Sequence, residues 1–361
     1  MTAHHRIVVL GAGYAGLSAA RRLARTAPGT RITVVDARAD LVERVRLHQA
    51  LAGQSIPRRD LRDLLGHKGI EFVQATVTGI GLADRHIALS DGSGLGYDTL
   101  VYALGSGADV DSVAGVRDYA HTVATLADVE RVRALGGRVA VVGGGATGIE
   151  TAAELAEARP DLRVALVGAE EPGAWLSVKA RKHIRAVFDR LGVEVHAGVK
   201  VVEVAPTGLR SADGGVIEAE TVLWTTGFAV PQLAAAAGLA VDGRGRVLVD
   251  DALRSSDPNV YAAGDSAVIP GPDGRELRMA CATALPTGAY AATAVAARLR
   301  GERPEPLRFR YRFQCLSLGR RDGVIQFVRP DDAMTDRVLT GRAAAWFKEL
   351  IVRGASRVAR P

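Results

Sequence analysis

"VVGGGATGIE", residues 141–150, repeats a pattern already present in "VVLGAGYAG", residues 8–16. Gly11, Gly13 and Gly16 match Gly143, Gly145 and Gly148 at a constant offset of 132 residues, and Arg31 matches Arg163 at the same offset. Two unrelated glycine turns would rarely hold such register. Each copy reads as an apolar strand, a glycine turn, a helix with apolar residues at helical spacing, and a second strand. The first is "RIVVLGAGYAGLSAARRLART" with "RITVVDAR"; the second is "RVAVVGGGATGIETAAELAEA" with "LRVALVGAEE". This order predicts an α/β chain with two Rossmann-like βαβ nucleotide-binding units.

Between the copies, "HIALSDGSGLGYDTLVYALGS" (86–106) alternates like a hairpin and then becomes a buried strand running into glycine. "ETVLWTTGFAVP" (220–231) and "VYAAGDSAVI" (260–269) repeat the strand-to-glycine ending. Trp224 reads as core. The tail changes character, with strand-like "FRYRFQCLSLG" and "GVIQFVRP" before the helix-like "GRAAAWFKELIVRGASRVA".

At 361 residues and 48% hydrophobic composition the chain can fill two or three cores. Only five of its 46 basic residues are lysines, and 40 acidic residues are spread among them without a basic tract, so no nucleic-acid partner is expected. The first strand begins at Arg6, which leaves no room for a signal peptide and predicts a cytoplasmic protein. Cys281 and Cys315 show no CxxC spacing, which argues against a redox pair or a cysteine zinc site. No metal is expected, and His4 and His5 read as a frayed terminus. The uncharged run 279–297 is alanine-rich and interrupted by Pro286 and Gly288, so it predicts a buried helix starting near Pro286 or Thr287 rather than a membrane span.

In such a unit the glycines let the chain turn tightly and let backbone approach a pyrophosphate at the helix N-terminus. An acid ending the second strand then takes the ribose hydroxyls. The first copy has Asp36 there, whereas the second has Gly168, with Glu170 and Glu171 just beyond. This predicts a firmly held dinucleotide on the first unit and an exchanging one, in an opened ribose pocket, on the second. The two glutamates would repel a 2′-phosphate and favour a dinucleotide without one.

"GAGYAG" with Asp36, "YALGS" (102–106), "GGGATGIE" and "VYAAGD" ending at Asp265 resemble, in that order, the FAD-dependent pyridine nucleotide oxidoreductases with two dinucleotide-binding domains. The resemblance covers roughly residues 6–299 and is nearest to type II NADH dehydrogenases and apoptosis-inducing-factor-like flavoproteins. It implies an FAD domain at 1–112 and 250–300, an NAD(P)H domain at 113–249 inserted into it, and a small C-terminal α+β domain at 301–361 with a terminal amphipathic helix. FAD would lie against Gly11, Gly13, Tyr14, Ala15, Gly16, Asp36, Ala37, Arg38, Arg44 and Val77. It would also touch Ala103, Leu104, Gly105, Gly264, Asp265, Thr283, Ala284 and Leu285. NADH or NADPH would dock on Gly143, Gly144, Gly145, Ala146, Thr147, Gly148, Gly168, Thr226 and Gly227, with Glu150 in the first turn of its helix toward the nicotinamide. His48 and Gln49 would line the acceptor side. They belong to "ERVRLHQALAG" (43–53), which sits where the disulfide reductases carry a cysteine pair and has none.

The implied activity is hydride transfer from NAD(P)H to FAD N5, then electron transfer to a small quinone-like or other conjugated acceptor without a redox disulfide. A tailoring flavoenzyme for one metabolite and a slow NAD(P)H-sensing flavoprotein are the alternatives. The quinone-reducing relatives place glutamines in an AQxxxQ-like pattern beside the flavin. This chain has Ala289 and Thr293 there, with Tyr290 between, and no glutamine from 280 to 297. Small acceptors near His48, Gln49 and Tyr290 are therefore expected over tailed quinones. In the terminal helix Trp346, Phe347, Leu350 and Ile351 form a short apolar stripe among Arg342, Lys348, Arg353, Arg357 and Arg360. Packing on the chain's own core or a homodimer partner is the favoured reading, and peripheral membrane contact the alternative.

Overall fold

The computed structural model describes residues 4–132, 136–272 and 274–356. Apolar runs such as Ile7 to Leu10, buried on both faces, form the centre of a five-stranded parallel sheet. Its order is Val260–Ala262, Thr99–Tyr102, Arg6–Leu10, Arg31–Asp36, Glu71–Gln74. A second parallel sheet runs Ala120–Thr122, Thr221–Trp224, Arg138–Val142, Arg163–Gly168, Glu194–Ala197. The chain returns to the first sheet with Val260–Ala262 only after the second is complete.

The 132-residue repeat survives as atomic geometry. Gly11 N donates to Val35 O (2.7 Å) and Gly143 N to Val167 O (2.8 Å). Each loop opens into a helix, Tyr14–Thr26 and Ala146–Ala158, capped at Gly13 and Gly145. A Cβ on Gly16 would lie 1.8 Å from Gly11 O, and one on Gly148 equally close to Gly143 O, so the third glycine is demanded by the helix crossing its own loop.

His86–Leu89 and Gly94–Gly96 pair antiparallel before the strand Thr99–Tyr102, as the alternation predicts. The tail folds into a three-stranded antiparallel sheet, Phe313–Ser317, Gly323–Val328 and Met334–Thr340, followed by the helix Gly341–Ala355. The third strand was not legible in the sequence because its face is only half-buried and alternation is weak. Arg357 and Arg360 lie outside the described residues.

Two expectations are corrected. The alanine-rich helix spans Cys281–Leu299, starting more than a turn before Pro286. Proline lacks the N–H that a helix interior uses. Here the surrounding hydroxyls help to hold the turn: Ser18 Oγ donates to Leu285 O (2.7 Å), and Thr287 Oγ donates to Thr283 O (2.8 Å). The histidines before the first strand are not frayed, since His4 Nδ1 lies 2.9 Å from Gly29 O and His5 Nε2 lies 2.9 Å from Thr99 Oγ. Among the described residues no helix is long and apolar enough to cross a membrane.

Candidate active site

The carboxyl ends of the first sheet's strands converge on one cradle. Asp36, ending its strand, accepts from Ala12 N at 2.7 Å and from the Arg38 guanidinium at 3.0 Å. Burial alone would raise the Asp36 carboxyl, but Arg38 and Ala12 outweigh it and hold the group below the usual range. A Cβ on Gly11 would lie 2.4 Å from Ala103 O, which fixes the 103–106 loop against the first glycine. Ser106 Oγ donates to Asp265 Oδ2 at 2.8 Å, and Arg44 reaches Ser106 O at 2.7 Å. Gly264 turns at φ +72° with Ala15 beneath it, and a Cβ on Gly288 would meet Ala15 O at 2.0 Å, so the helix bearing Thr283, Ala284 and Leu285 is drawn onto the first glycine helix. Val77 and Ala103 share the buried cluster that contains Ala15, with Leu104 packed on it. Ala37 stands exposed beside Arg38.

The cradle fits a dinucleotide. Positions 13 and 105 face open space where a Cβ would meet nothing within 4 Å. Tyr14 Oη and Asp265 Oδ1 are buried with no hydrogen-bond partner among the described residues, which is costly unless a ligand supplies one.

The second glycine loop is built alike, but its neighbourhood differs. At Gly168 a Cβ would meet Glu170 O and Gly144 N at 3.2 Å, and Gly173 N donates to Gly144 O at 3.1 Å. Gly168 serves the close approach of the 168–173 turn to the loop. Gly145 faces open space, while Thr226 closes over Gly143 and Gly227 turns at φ +76°. Ala146 and Thr147 open the helix. Trp224 is core, its indole N–H donating to Asp109 O at 2.9 Å.

Glu150 does not stand in the first turn, which holds no acid. Its carboxylate points at the C-terminal sheet, where Ser317 N and Oγ donate to Oε1 at 2.9 and 3.3 Å. The Lys348 ammonium of the terminal helix contacts the same oxygen. Burial brings Lys348 down to about 7, with Arg46 adding to the drop and Glu349 opposing it. His48 and Gln49 sit in the short helix Leu47–Leu51, both buried, and His48 Nε2 is 3.2 Å from Ser317 Oγ. Gln49 Oε1 accepts from Arg46 at 3.3 Å; with the amide turned, it accepts from Arg320 at 2.9 Å. Arg46 also holds Glu43 and Glu349 at 2.7 and 2.8 Å.

The structure thus brings Glu150, His48 and Gln49 together and adds Ser317 and Lys348, which sequence reading did not place in the site. Lys348 carried a signal: it falls midway between Ala344 and Val352 at four-residue spacing, on the buried face of an amphipathic helix. Tyr290 does not join this group, because its hydroxyl is engaged by Asp251 O and Glu305 O. Thr293 Oγ donates to Ala289 O at 3.1 Å within its own helix. Cys281 and Cys315 are free thiols, and burial raises both, Cys315 to about 12.

Comparison with known proteins agrees with this architecture. The family model described as pyridine nucleotide-disulphide oxidoreductase matches residues 5–295. An NADH dehydrogenase-like protein of Mycobacterium tuberculosis is 34% identical over 315 residues, covering 79% of this chain and 78% of that one. A probable ferredoxin reductase of Castellaniella defragrans is 30% identical over 326 residues, covering 85% and 78%. The structure of the sulfide:quinone oxidoreductase from Aquifex aeolicus superposes with a TM-score of 0.82 at 18% identity, covering 97% of this chain and 90% of that one, a likeness of fold. With its two glycine cradles and no disulfide, the chain belongs to the pyridine nucleotide-disulphide oxidoreductase family and is an FAD-dependent NAD(P)H oxidoreductase.

Proposed function

We propose that the first cradle holds FAD, the second docks NAD(P)H, and the largely buried Glu150–Lys348 pair serves a small two-electron acceptor. The corresponding domains are 1–112 with 250–300, 113–249, and 301–361. FAD, when bound, supplies a centre that takes a hydride from NAD(P)H and passes the electrons on. Gly11, Gly13 and Gly16 let backbone approach the pyrophosphate, Asp36 and Arg38 face the ribose, and Asp265 with Tyr14 offers the unpartnered polar atoms that a ligand would satisfy. Gly143 to Gly148 receive the nicotinamide dinucleotide by the same physics. Lys348, poised near neutrality, can hold a proton at Nζ and yield it where negative charge develops, and Glu150 fixes that nitrogen in place.

The observation that carries this reading is the ion pair itself, assembled from the second glycine helix and the terminal helix beside His48 and Gln49. The acceptor is a small quinone-like molecule lacking a long tail, since Thr293 is committed to its own helix and residues 280–297 hold no glutamine. Steady-state assays with matched tailed and tailless quinones test this. A tailed quinone preferred by tenfold in kcat/KM, about 1.4 kcal/mol of transition-state binding, contradicts it.

The terminal helix supports a second contact. Phe347 packs edge-on against Phe313, and Lys348 points inward, while Trp346 and Leu350 remain 66% and 44% exposed. That pair, flanked by Arg342 and Arg353, suits a peripheral membrane surface or a second copy of the chain. The same reading takes the protein as cytoplasmic, with any membrane contact peripheral.

A further inference from the structure

Hydride transfer from NAD(P)H delivers two electrons and one proton. An acceptor that leaves as a neutral hydroquinone takes two electrons and two protons. One proton per turnover must therefore come from water, yet Lys348 is buried and the Glu150 side chain is only 13% exposed. The polar groups behind them are not used by the function described above.

Glu154 follows Glu150 by one helical turn and faces the same way, its side chain fully buried. Arg320 Nη2 holds it at 2.9 Å, and Gln54 donates to its other oxygen. His48 Nε2 stands between the two acids, 3.9 Å from Glu154 Oε2 and 3.2 Å from Ser317 Oγ. With its proton on Nε2, His48 donates to Ser317 Oγ, and Ser317 Oγ donates to Glu150 Oε1 at 3.3 Å, giving a chain of donors aimed at the ion pair. At its far end the Arg320 side chain is 35% exposed, and Gln54 is half-buried.

We propose that Glu154, His48 and Ser317 are a proton-delivery path that draws one proton per turnover from solvent at Gln54 and Arg320 and refills the Glu150–Lys348 pair. This rests on the acceptor role proposed for that pair. In the step, His48 starts with its proton on Nδ1 and Nε2 free; as the 3.9 Å gap to Glu154 closes to hydrogen-bond reach, the Glu154 Oε2–H bond breaks and an Nε2–H bond forms, giving a transient imidazolium. That proton then passes to Ser317 Oγ as the Ser317 hydroxyl proton passes to Glu150. Each group regains its starting protonation when Glu154 takes a proton from water, and no electron moves along the chain. Burial, Lys348, Arg320 and Arg46 all hold His48 well below its ordinary value, so the ring carries the extra proton only in passing and does not trap it.

The experiment uses the FAD-loaded protein with Glu154→Gln and, separately, Ser317→Ala. Turnover is measured with a water-soluble benzoquinone, which needs two protons, and with ferricyanide, which needs none; flavin bleaching by NADH is followed in the same samples. The path predicts that the benzoquinone-to-ferricyanide ratio falls about tenfold or more in both variants while NADH still bleaches the flavin. It also predicts, in nitrogen NMR of histidine-labelled protein, that the His48 resonances shift in both variants, His48 being identified by its loss in His48→Gln. An unchanged ratio in both variants, or unshifted His48 resonances, overturns the path. Failure of NADH to bleach wild-type flavin overturns instead the function on which it rests.

Discussion

Lys348 of the terminal helix and Glu150 of the second glycine helix form a largely buried ion pair that ties the C-terminal sheet unit to the second glycine-loop unit. Removing one partner strands the other. The double variant Glu150→Gln/Lys348→Met is expected to differ from wild type by less than the sum of the two single variants. Urea melts of the four proteins measure this; additive losses would mean the pair does not couple.

The same lysine sets a pH dependence. Its folded value of about 7 lies below the unfolded value of about 10.4, so between them the unfolded chain binds a proton that the folded chain does not. Stability should therefore rise with pH across that window, by at most about 1.4 kcal/mol per unit from this group. Lys348→Met should remove that contribution. Denaturation at several pH values from neutral to alkaline checks the difference between the two slopes, and equal slopes would refute the assignment.

Two glycines of the first loop should respond oppositely. A Cβ at position 16 would overlap Gly11 O, whereas one at position 13 enters open space. Gly16→Ala should destabilise the fold by several kcal/mol, on the order of 3. Gly13→Ala should fold normally but bind flavin poorly. Thermal melts and flavin content after desalting separate the cases; a fully yellow Gly13→Ala protein would contradict the cradle.

Asp265 offers the cradle an unpartnered buried oxygen. Asp265→Ala should lose flavin on desalting, with Ser106 left without its acceptor. Retention of a full flavin complement would move the FAD site elsewhere.

Glu170 and Glu171 follow the strand that carries Gly168, and Glu171 pairs with Arg185 at 3.3 Å. NADH should reduce the flavin faster than NADPH, and Glu170→Gln/Glu171→Gln should narrow the gap. Stopped-flow comparison of the two nucleotides decides it; faster reduction by NADPH in the wild type reverses the assignment.

The parts legible in the sequence are those set by local backbone demands. Gly11, Gly16, Gly143 and Gly148 must be glycine because a Cβ would strike the adjacent loop, so their spacing carries the fold before any contact is known. Buried parallel strands such as "RIVVL" announce themselves by composition. The helix start at Cys281 was misplaced because proline normally marks a boundary, and tertiary hydroxyl bonds to the turn around Pro286 are invisible in one dimension. Ser317 was missed for the same reason. Its meeting with Glu150 and His48 joins three distant segments, and no periodicity encodes it.

Anaerobic titration of the purified, FAD-loaded protein with NADH tests the central claim most directly. Two cradles holding FAD and an exchanging nicotinamide dinucleotide predict that one equivalent of NADH bleaches the flavin promptly and that adding a benzoquinone restores its colour. A flavin that stays oxidised in excess NADH and NADPH would contradict the account.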